Sequence, residues 1–225
     1  MRFRWCANPE SWGKTALTDP KTGKPLRQWM NLSEIVAEIR RHTIFYRHSG
    51  GGITYSGGEP TVQLDFLRRM VETFRGMGIH QTIETCGYFS WEKACHIFEQ
   101  LDAIFVNLKI VDPSMHQKLT GCPNSLILEN IRHMGKLGIP VVVRIPLVPD
   151  INDSEENLKA SAEFVRQTLP GGKMEILPYH RLGLEKYEKL ELEEFRYVYR
   201  PPTDSEIESA RNLIEFCGVA TTSYQ

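Results

Sequence analysis

Hydrophobic residues along the chain follow two alternating spacings. Short runs rich in β-branched residues alternate with stretches in which apolar positions recur every three or four residues. The predicted strands are Ile53–Tyr55, Gln81–Thr85, Ala103–Leu108, Val141–Leu147 and Met174–Leu177, and the predicted helices are Val62–Met77, Trp91–Leu101, Leu126–Leu137 and Glu155–Leu169. Glycines follow several of the helical stretches, as is typical of helix ends.

This alternation of strands and helices predicts the fold class. Each helix returns the chain to the same end of the sheet, so neighbouring strands run parallel and the crossovers are right-handed. We therefore expect an α/β protein with a parallel sheet or a barrel. In a parallel (β/α) barrel the functional groups lie at the carboxyl ends of the strands, so polar residues at these ends should converge.

The two ends of the chain add further elements. They are a helix at Met30–Arg41, a final helix from Pro201 to Phe216 and an edge strand at Val219–Thr222. Asn31 is the expected cap of the first helix, and Thr203 or Asp204 that of the last. The charged stretch Lys186–Glu194 is predicted to be a solvated face. No repeat or linker divides the chain, so we expect a single domain over residues 1–225.

Polar groups end every predicted strand. They are Ser56-Gly57-Gly58-Glu59 after the first, Glu84 and Thr85 in the second, Asn107 and Lys109 in or after the third, Arg144 in the fourth, and Tyr179-His180 after the last. Because these runs are otherwise apolar, the pattern predicts the rim of one site. Arg144 would be a buried cation unless it is paired, which favours contact with an anion. His180 taken alone would be an ordinary strand end.

Composition and charge exclude several classes of partner. The chain has 27 basic and 28 acidic side chains, a net charge of −1, so it has no general attraction for nucleic acid or anionic membranes. No apolar run is long enough to span a membrane, and the first residues lack a secretory signal. Five scattered cysteines favour a reducing compartment. We therefore predict a cytoplasmic protein without nucleic-acid or membrane partners.

The densest chemical signal is the stretch Ser49–Pro60, in which two glycine clusters flank a short strand. Glycines allow a ligand to approach the backbone closely, and Glu59 supplies an acceptor beside them. A glycine-rich surface loop is the alternative. The stretch is not a P-loop, because no Gly-Lys-Ser/Thr follows, and it does not match a dinucleotide-binding fingerprint.

Several motifs together resemble one family, the glycyl-radical-enzyme activating enzymes of the pyruvate formate-lyase activating enzyme-like radical S-adenosylmethionine (SAM) group. The motifs are the glycine clusters, Asn8-Pro9-Glu10, Asn107-Leu108-Lys109 and Leu177-Pro178-Tyr179-His180, in order from about Arg4 to Thr222. The resemblance implies a partial parallel (β/α) barrel of the radical SAM type. It also implies an oxidoreductase that cleaves SAM reductively to a 5′-deoxyadenosyl radical and generates a glycyl radical on a partner enzyme.

The resemblance also implies partners and site residues. The partners are a glycyl-radical enzyme, such as a pyruvate formate-lyase-like protein, and an electron donor of the flavodoxin or ferredoxin type. The implied cofactor-binding residues are Asn8, Gly57, Gly58, Glu59, Glu84, Thr85 and Asn107, and the implied catalytic residues are Lys109, Arg144 and His180. The family has a monovalent-cation site built largely on aspartates, and Glu84 and Asn107 depart from that pattern.

The cluster ligands depart from the family most. The resemblance implies a [4Fe–4S] cluster held by Cys-x3-Cys-x2-Cys, in which Cys6 matches the third ligand. Phe3 occupies the middle position, and the first would precede Met1. One cysteine does not hold such a cluster, so an inactive chain is one expectation. Cys86, like the other cysteines, lacks a CxxC spacing, which favours structural thiols.

Three consequences of this departure stay open. The chain is expected to be N-terminally incomplete and to lack its first strand, which would expose a sheet edge and favour instability or association. An alternative to the activating enzyme is a non-catalytic paralogue that binds SAM or a peptide, or a truncated fragment. A third reading is a radical SAM enzyme that acts on a small molecule.

Overall fold

The computed structural model describes residues 3–13, 18–19, 22–192 and 196–223, and within them the chain forms one six-stranded sheet. The strands are β1 (Gly52–Tyr55), β2 (His80–Thr85), β3 (Ala103–Asn107), β4 (Val141–Leu147), β5 (Lys173–Pro178) and β6 (Ala220–Thr221). All neighbouring strands pair in parallel, and their order in the sheet is their order in the chain. The predicted α/β class with a parallel sheet is confirmed.

One helix precedes the first strand, and the others connect each strand to the next. The helices are α1 (Leu32–Ser49), α2 (Leu64–Gly76), α3 (Trp91–Phe98), α4 (Pro113–Thr120), α5 (Ser125–Met134), α6 (Glu155–Thr168), α7 (Leu184–Lys189) and α8 (Asp204–Phe216). A 3₁₀ turn at Pro60–Gln63 precedes α2, and another lies at Pro9–Trp12. The predicted strands and the predicted crossover helices all exist, with ends that shift by a few residues.

The core lies between the sheet and the crossover helices. The amphipathic α2 buries Leu67, Val71 and Phe74 against it. Sheet residues such as Ile83 and Ile104 are completely buried. Burying each such side chain contributes roughly 1.5–3 kcal/mol, so the apolar strand runs seen in the sequence supply most of the driving force.

Helix α1 is longer than predicted. Its N-terminus is the predicted one, because Asn31 and Glu34 form a reciprocal capping box. It continues beyond Arg41 because no glycine or proline interrupts it before Gly50, whose φ of 68° ends the helix. The final helix and the edge strand also match their predictions, with Thr203 as the N-cap of α8 and β6 pairing with β5.

Two short helices, α4 and α7, were not predicted. Helix α4 has a clear start at Asp112, whose carboxylate accepts from the Met115 N–H, but its eight residues carry too few apolar positions to show a period. Helix α7 overlaps the stretch predicted to be a solvated face. That prediction is wrong at Tyr187, which is 2% exposed; the part of the stretch at 193–195 lies outside the described residues.

The free edge of β1 matches the expectation of an exposed sheet edge. Within the described residues β1 pairs only with β2, and Thr54 is exposed. The adjacent α1 has no fully buried residue and leaves Ile44 and Phe45 60% and 66% exposed. Association through this side of the molecule stays a prediction. Among the described helices none is both long enough and apolar enough to cross a membrane.

A buried histidine closes the turn after α4. His116 Nδ1 lies 2.8 Å from the carbonyl oxygen of Cys122, so this nitrogen carries the proton. Thr120 Oγ1 donates to the His116 carbonyl. Burial lowers the pKa of His116, the Cys122 carbonyl opposes that shift, and the ammonium of Lys109 adds to it. The imidazole is therefore held in its neutral form.

This histidine should make stability fall in mild acid. Its folded-state pKa lies below the ordinary value of about 6.5, so the unfolded chain takes up the proton first and the free energy of unfolding decreases as the pH falls below about 6.5. Urea unfolding between pH 7.5 and 5 should show a smaller loss for His116→Gln than for wild type. His48→Gln, on the exposed face of α1, is the control. Equal losses in wild type and His116→Gln would contradict the assignment.

Candidate functional site

The carboxyl ends of the strands meet the N-terminal loop around one cavity of about 500 Å³. This volume lies within the range of small-molecule sites. Ten of the eleven predicted site residues line it: Cys6, Asn8, Gly57, Gly58, Glu59, Glu84, Thr85, Asn107, Lys109 and His180. Arg144 is not among the lining residues. The site residues come together because a parallel sheet places all its carboxyl ends at one side.

Glu59 joins the ends of β1 and β2. Its Oε1 accepts from the Thr61 N–H at 3.2 Å, from Thr61 Oγ1 at 2.7 Å and from Thr85 Oγ1 at 2.8 Å. Its Oε2 accepts from the Cys86 N–H at 2.7 Å. The carboxylate is thus largely saturated by the protein itself. Its direct structural effect is to fix the turn after β1 against the end of β2.

The turn after β1 requires its glycines. Gly57 has a φ of 113°, which side chains rarely adopt. A Cβ at Gly58 would lie 2.5 Å from Ser11 Cβ, so glycine permits the N-terminal loop to pack directly on this turn. Asn8 Nδ2 donates to the Gly57 carbonyl at 3.2 Å. The loop and the glycine turn therefore form one continuous lining of the cavity.

Lys109 is a buried cation on the cavity. It is 4% exposed, and its ammonium lies 4.1 Å from the centroid of the Phe3 ring. Burial lowers its pKa, while Cys86, Cys6, Glu59 and Glu84 oppose the shift. No carboxylate of the described residues lies within ion-pair distance of it. An anionic group of a ligand would relieve this desolvated charge.

Two thiols line the same cavity. Burial raises the pKa of Cys6, opposed mainly by the Asn8 N–H, which donates to the sulfur at 3.4 Å. Burial and the carboxylate of Glu59 raise the pKa of Cys86 to about 12. Both sulfurs are therefore protonated at neutral pH in the absence of a metal. The interpretation of Cys86 as a purely structural thiol missed its place on the cavity, although it directly follows Glu84 and Thr85.

Arg144 is outside the cavity lining and is paired with two acidic residues. Its Nε donates to Glu175 Oε2 at 2.6 Å, and its Nη1 lies 3.2 Å from Glu84 Oε2. The guanidinium carbon stands 3.8 Å from the centroid of the Phe105 ring. The predicted anion for Arg144 is thus supplied by the protein. A direct contact of Arg144 with a bound molecule stays a prediction.

Other lining residues were not singled out by their position in the sequence. They are Trp5, Ala7, Ser11, Trp12, Val62, Tyr88 and Pro146, whereas the lining residues Ser56, Leu177, Pro178 and Tyr179 belong to the predicted strand ends and motifs. Trp5 and Ala7 flank Cys6, which is the signal that would have found them. Ser56 Oγ donates to Glu84 Oε2 at 3.2 Å, and Asn107 Nδ2 donates to the Thr85 carbonyl at 3.3 Å, so neighbouring strand ends are cross-linked.

Comparison with known proteins identifies the family. Residues 4–162 match the family model described as the radical SAM superfamily. The chain belongs to the radical SAM superfamily. Proteins of this superfamily and their activating-enzyme relatives use a [4Fe–4S] cluster and SAM. The predicted family and these two cofactors are therefore confirmed at the level of the family.

Relatives of this radical SAM protein are activating enzymes. It is 34% identical over 224 residues to a pyruvate formate-lyase-activating enzyme of Staphylococcus epidermidis, covering 97% of this chain and 86% of that protein. It is 35% identical over 191 residues to the trans-4-hydroxy-L-proline dehydratase activating enzyme of Clostridioides difficile, covering 84% and 63%. This chain spans 50% to 63% of the length of four such relatives. The predicted relationship to glycyl-radical-enzyme activating enzymes is confirmed.

A solved structure agrees with this relationship. A domain of a pyruvate-formate lyase-activating enzyme from Bacteroides vulgatus superposes with a TM-score of 0.64 at 28% identity, covering 78% of this chain and 99% of that chain. A radical SAM methyltransferase from Sphaerobacter thermophilus, at 18% identity and a TM-score of 0.62, shares the fold. The radical SAM partial barrel predicted from the sequence is confirmed.

The cavity of this radical SAM protein fits SAM better than it fits the cluster. Lys109 offers a buried positive charge, and the glycine turn offers exposed backbone. For the cluster the described residues offer two cavity thiols, Cys6 and Cys86. No group of three or more potential metal ligands occurs among the described residues. These residues therefore do not fit a [4Fe–4S] cluster held by three thiolates.

Removing the Arg144 guanidinium should destabilise the fold, because it would break a buried ion pair with Glu175, which is 3% exposed. Breaking a buried pair in this way costs about 3–5 kcal/mol, so Arg144→Met should lower the free energy of unfolding in urea by that order. The double variant Arg144→Met/Glu175→Gln should recover part of the loss. Arg166→Met, which removes an exposed ion pair with Glu163, should change the free energy of unfolding much less. Equal effects of the two single variants would contradict a buried pair.

Proposed function

We propose that the cavity binds SAM and that the chain acts as the activating component of a glycyl-radical enzyme. The proposed reaction is the reductive cleavage of SAM and abstraction of hydrogen from a glycine Cα of the partner. The observation that carries the proposal is the convergence of Lys109, the glycine turn and the Cys6 loop on one cavity. The activating enzymes among its relatives support the nature of the partner.

Particular groups suit the methionine part of SAM. The buried ammonium of Lys109 would pair with the carboxylate, and the carbonyl groups of the glycine turn would accept from the amino group. Glu59 holds that turn in place through Thr85 and the Cys86 N–H. His180, which also lines the cavity, would face the peptide of the partner. These roles follow from charge and position around the cavity.

The reaction needs an electron and a shielded radical. In this superfamily the cluster delivers the electron to SAM. A flavodoxin- or ferredoxin-type protein of the cytoplasm is the reductant we propose. Of the implied ligands this chain provides Cys6, so catalysis depends on further thiolates at the cavity. The deep position of Lys109 and the lining aromatic rings would keep water from a radical formed there.

Phe3 favours a second candidate function. Its ring lies on Lys109 at the position where the resemblance implies a cluster ligand. A side chain of this kind does not bind iron, and it lines the same cavity. This observation supports a non-catalytic protein that binds SAM or the peptide of a glycyl-radical enzyme. The two candidates share the SAM site and differ in whether a cluster forms.

SAM binding tests the site that both candidates share. Lys109→Met should weaken the affinity for SAM by about tenfold or more, because a charge-assisted hydrogen bond to the carboxylate is lost. Equilibrium dialysis with radiolabelled SAM measures the effect. Lys118→Met, an exposed lysine on α4, is the matched control and should bind as wild type does. Unchanged binding by Lys109→Met would contradict the proposed contact between Lys109 and the carboxylate of SAM.

Reconstitution separates the two candidates. The protein is incubated anaerobically with iron and sulfide, and the iron content, the visible absorption and the release of 5′-deoxyadenosine under a strong reductant are measured. About four irons per chain and deoxyadenosine release would establish the activating enzyme. Because Cys6 is a single matching ligand, we expect wild type to fall short of this content and Phe3→Cys to bind more iron. SAM binding without a cluster would establish the non-catalytic protein.

A further inference from the structure

Helix α7 contacts the loop that carries Cys6. Lys186 Nζ donates to the Ala7 carbonyl at 3.0 Å, to Asn8 Oδ1 at 3.0 Å and to Glu10 Oε1 at 2.7 Å. Three acceptors from one short segment converge on this ammonium, and the side chains of Lys186 and Glu10 are 34% and 17% exposed. This contact is more than a surface ion pair, because one ammonium donates to a backbone carbonyl, a side-chain amide and a carboxylate.

The ammonium of Lys186 fixes the orientation of the Asn8 amide. A lysine donates hydrogen bonds and does not accept them, so it requires the oxygen of the amide to face it. The amide nitrogen is then directed toward the Gly57 carbonyl, to which it donates at 3.2 Å. Without the ammonium the amide could rotate and lose its bond to Gly57. Lys186 thereby reaches the glycine turn through Asn8.

Two neighbours of Lys186 hold the same loop. Tyr187, which is buried, donates its hydroxyl to the Cys6 carbonyl at 2.9 Å, and its ring stands edge-on to Trp12 at 5.8 Å. Gly183 lies so close to the loop that a Cβ there would be 2.9 Å from Ala7 Cα. Both ends of the loop are thus attached to one short segment of chain. Neither contact involves a residue implied by the family motifs other than Cys6.

We propose that Lys186 and Tyr187 are positioning residues that fix the cysteine loop (residues 6–12) against the glycine turn (residues 56–59). Neither residue is among those that line the cavity, and they act through Asn8 and through the backbone of Cys6. The inference deepens the proposed function, because the same two segments line the SAM cavity. Without Lys186 and Tyr187 the cysteine loop opens more often, Cys6 becomes accessible, and the cavity loses its preformed shape.

The closest matched control lies on the same helix. Lys189 Nζ pairs with Asp19 Oδ2 at 2.8 Å, so Lys189→Met also removes one lysine–carboxylate pair between α7 and the N-terminal region. Asp19 lies outside the cysteine loop. A difference between Lys186→Met and Lys189→Met therefore reports on that loop rather than on a general loosening of α7.

The first measurement is the rate at which iodoacetamide alkylates Cys6 in the full-length protein. The protein is then digested, and mass spectrometry measures the modified peptide. Lys186→Met should raise this rate by about tenfold, the change expected when a charge-assisted bond that keeps a segment closed is lost. The rate of Cys95, on α3, should stay constant and is the internal reference. Lys189→Met should label Cys6 as wild type does. Should Lys186→Met fail to fold, Tyr187→Phe, which deletes one hydroxyl, takes its place with the same expectation.

The second measurement is a double-mutant cycle on SAM affinity. Lys186→Met should weaken binding, and the double variant Asn8→Ala/Lys186→Met should bind no more weakly than Asn8→Ala, because Lys186 acts through Asn8. Additive losses would overturn the route through Asn8. Equal Cys6 labelling in the Lys186 and Lys189 variants would overturn the positioning role. If wild type binds no SAM while the labelling contrast persists, the proposed function fails and the positioning role stands.

Discussion

The carboxylate of Glu59 is the interaction on which the site depends. It accepts from Thr61, Thr85 and Cys86 and so ties the turn after β1 to the end of β2. Without this tie, the turn, which has a positive φ at Gly57, would be left with its hydrogen bonds to Asn8 and Glu84. The carboxylate accepts four hydrogen bonds from the protein itself. The backbone beside Glu59, rather than its carboxylate, is therefore the surface that a ligand can contact.

Buried charge sets the character of the interior below that turn. Arg144 is neutralised by Glu84 and Glu175, whereas Lys109 faces the cavity above a phenylalanine ring. One cation is therefore structural and the other is available to a ligand. The difference lies in the strand register, which places Arg144 opposite Glu175 and leaves Lys109 beyond the end of β3. Because both side chains are desolvated, a substitution that disrupts the ion pairs of Arg144 or the charge of Lys109 costs free energy.

The sequence allowed the sheet and most of the site to be predicted, for a topological reason. Parallel strands joined by helices bring their carboxyl ends together, so polar residues at those ends meet whatever the details of packing. The partner of Arg144 could not be predicted, because Glu175 lies inside an apolar strand and only the register with β4 brings it near. The contacts of Lys186 were not predicted, because its partners are far from it in the sequence. A stretch rich in charged residues is also typical of a solvated face.

The attachment of the N-terminal loop to α7 has a consequence for folding during synthesis. Neighbouring strands of the sheet follow one another in the chain, so each pairing can form soon after its strand leaves the ribosome. The bond from Lys186 to Ala7 instead spans 179 positions. The loop that contains Ala7 therefore gains this contact only after Lys186 has been synthesised. The contact that attaches the cysteine loop to α7 therefore has a much larger sequence separation than the pairing of neighbouring strands, and it forms later.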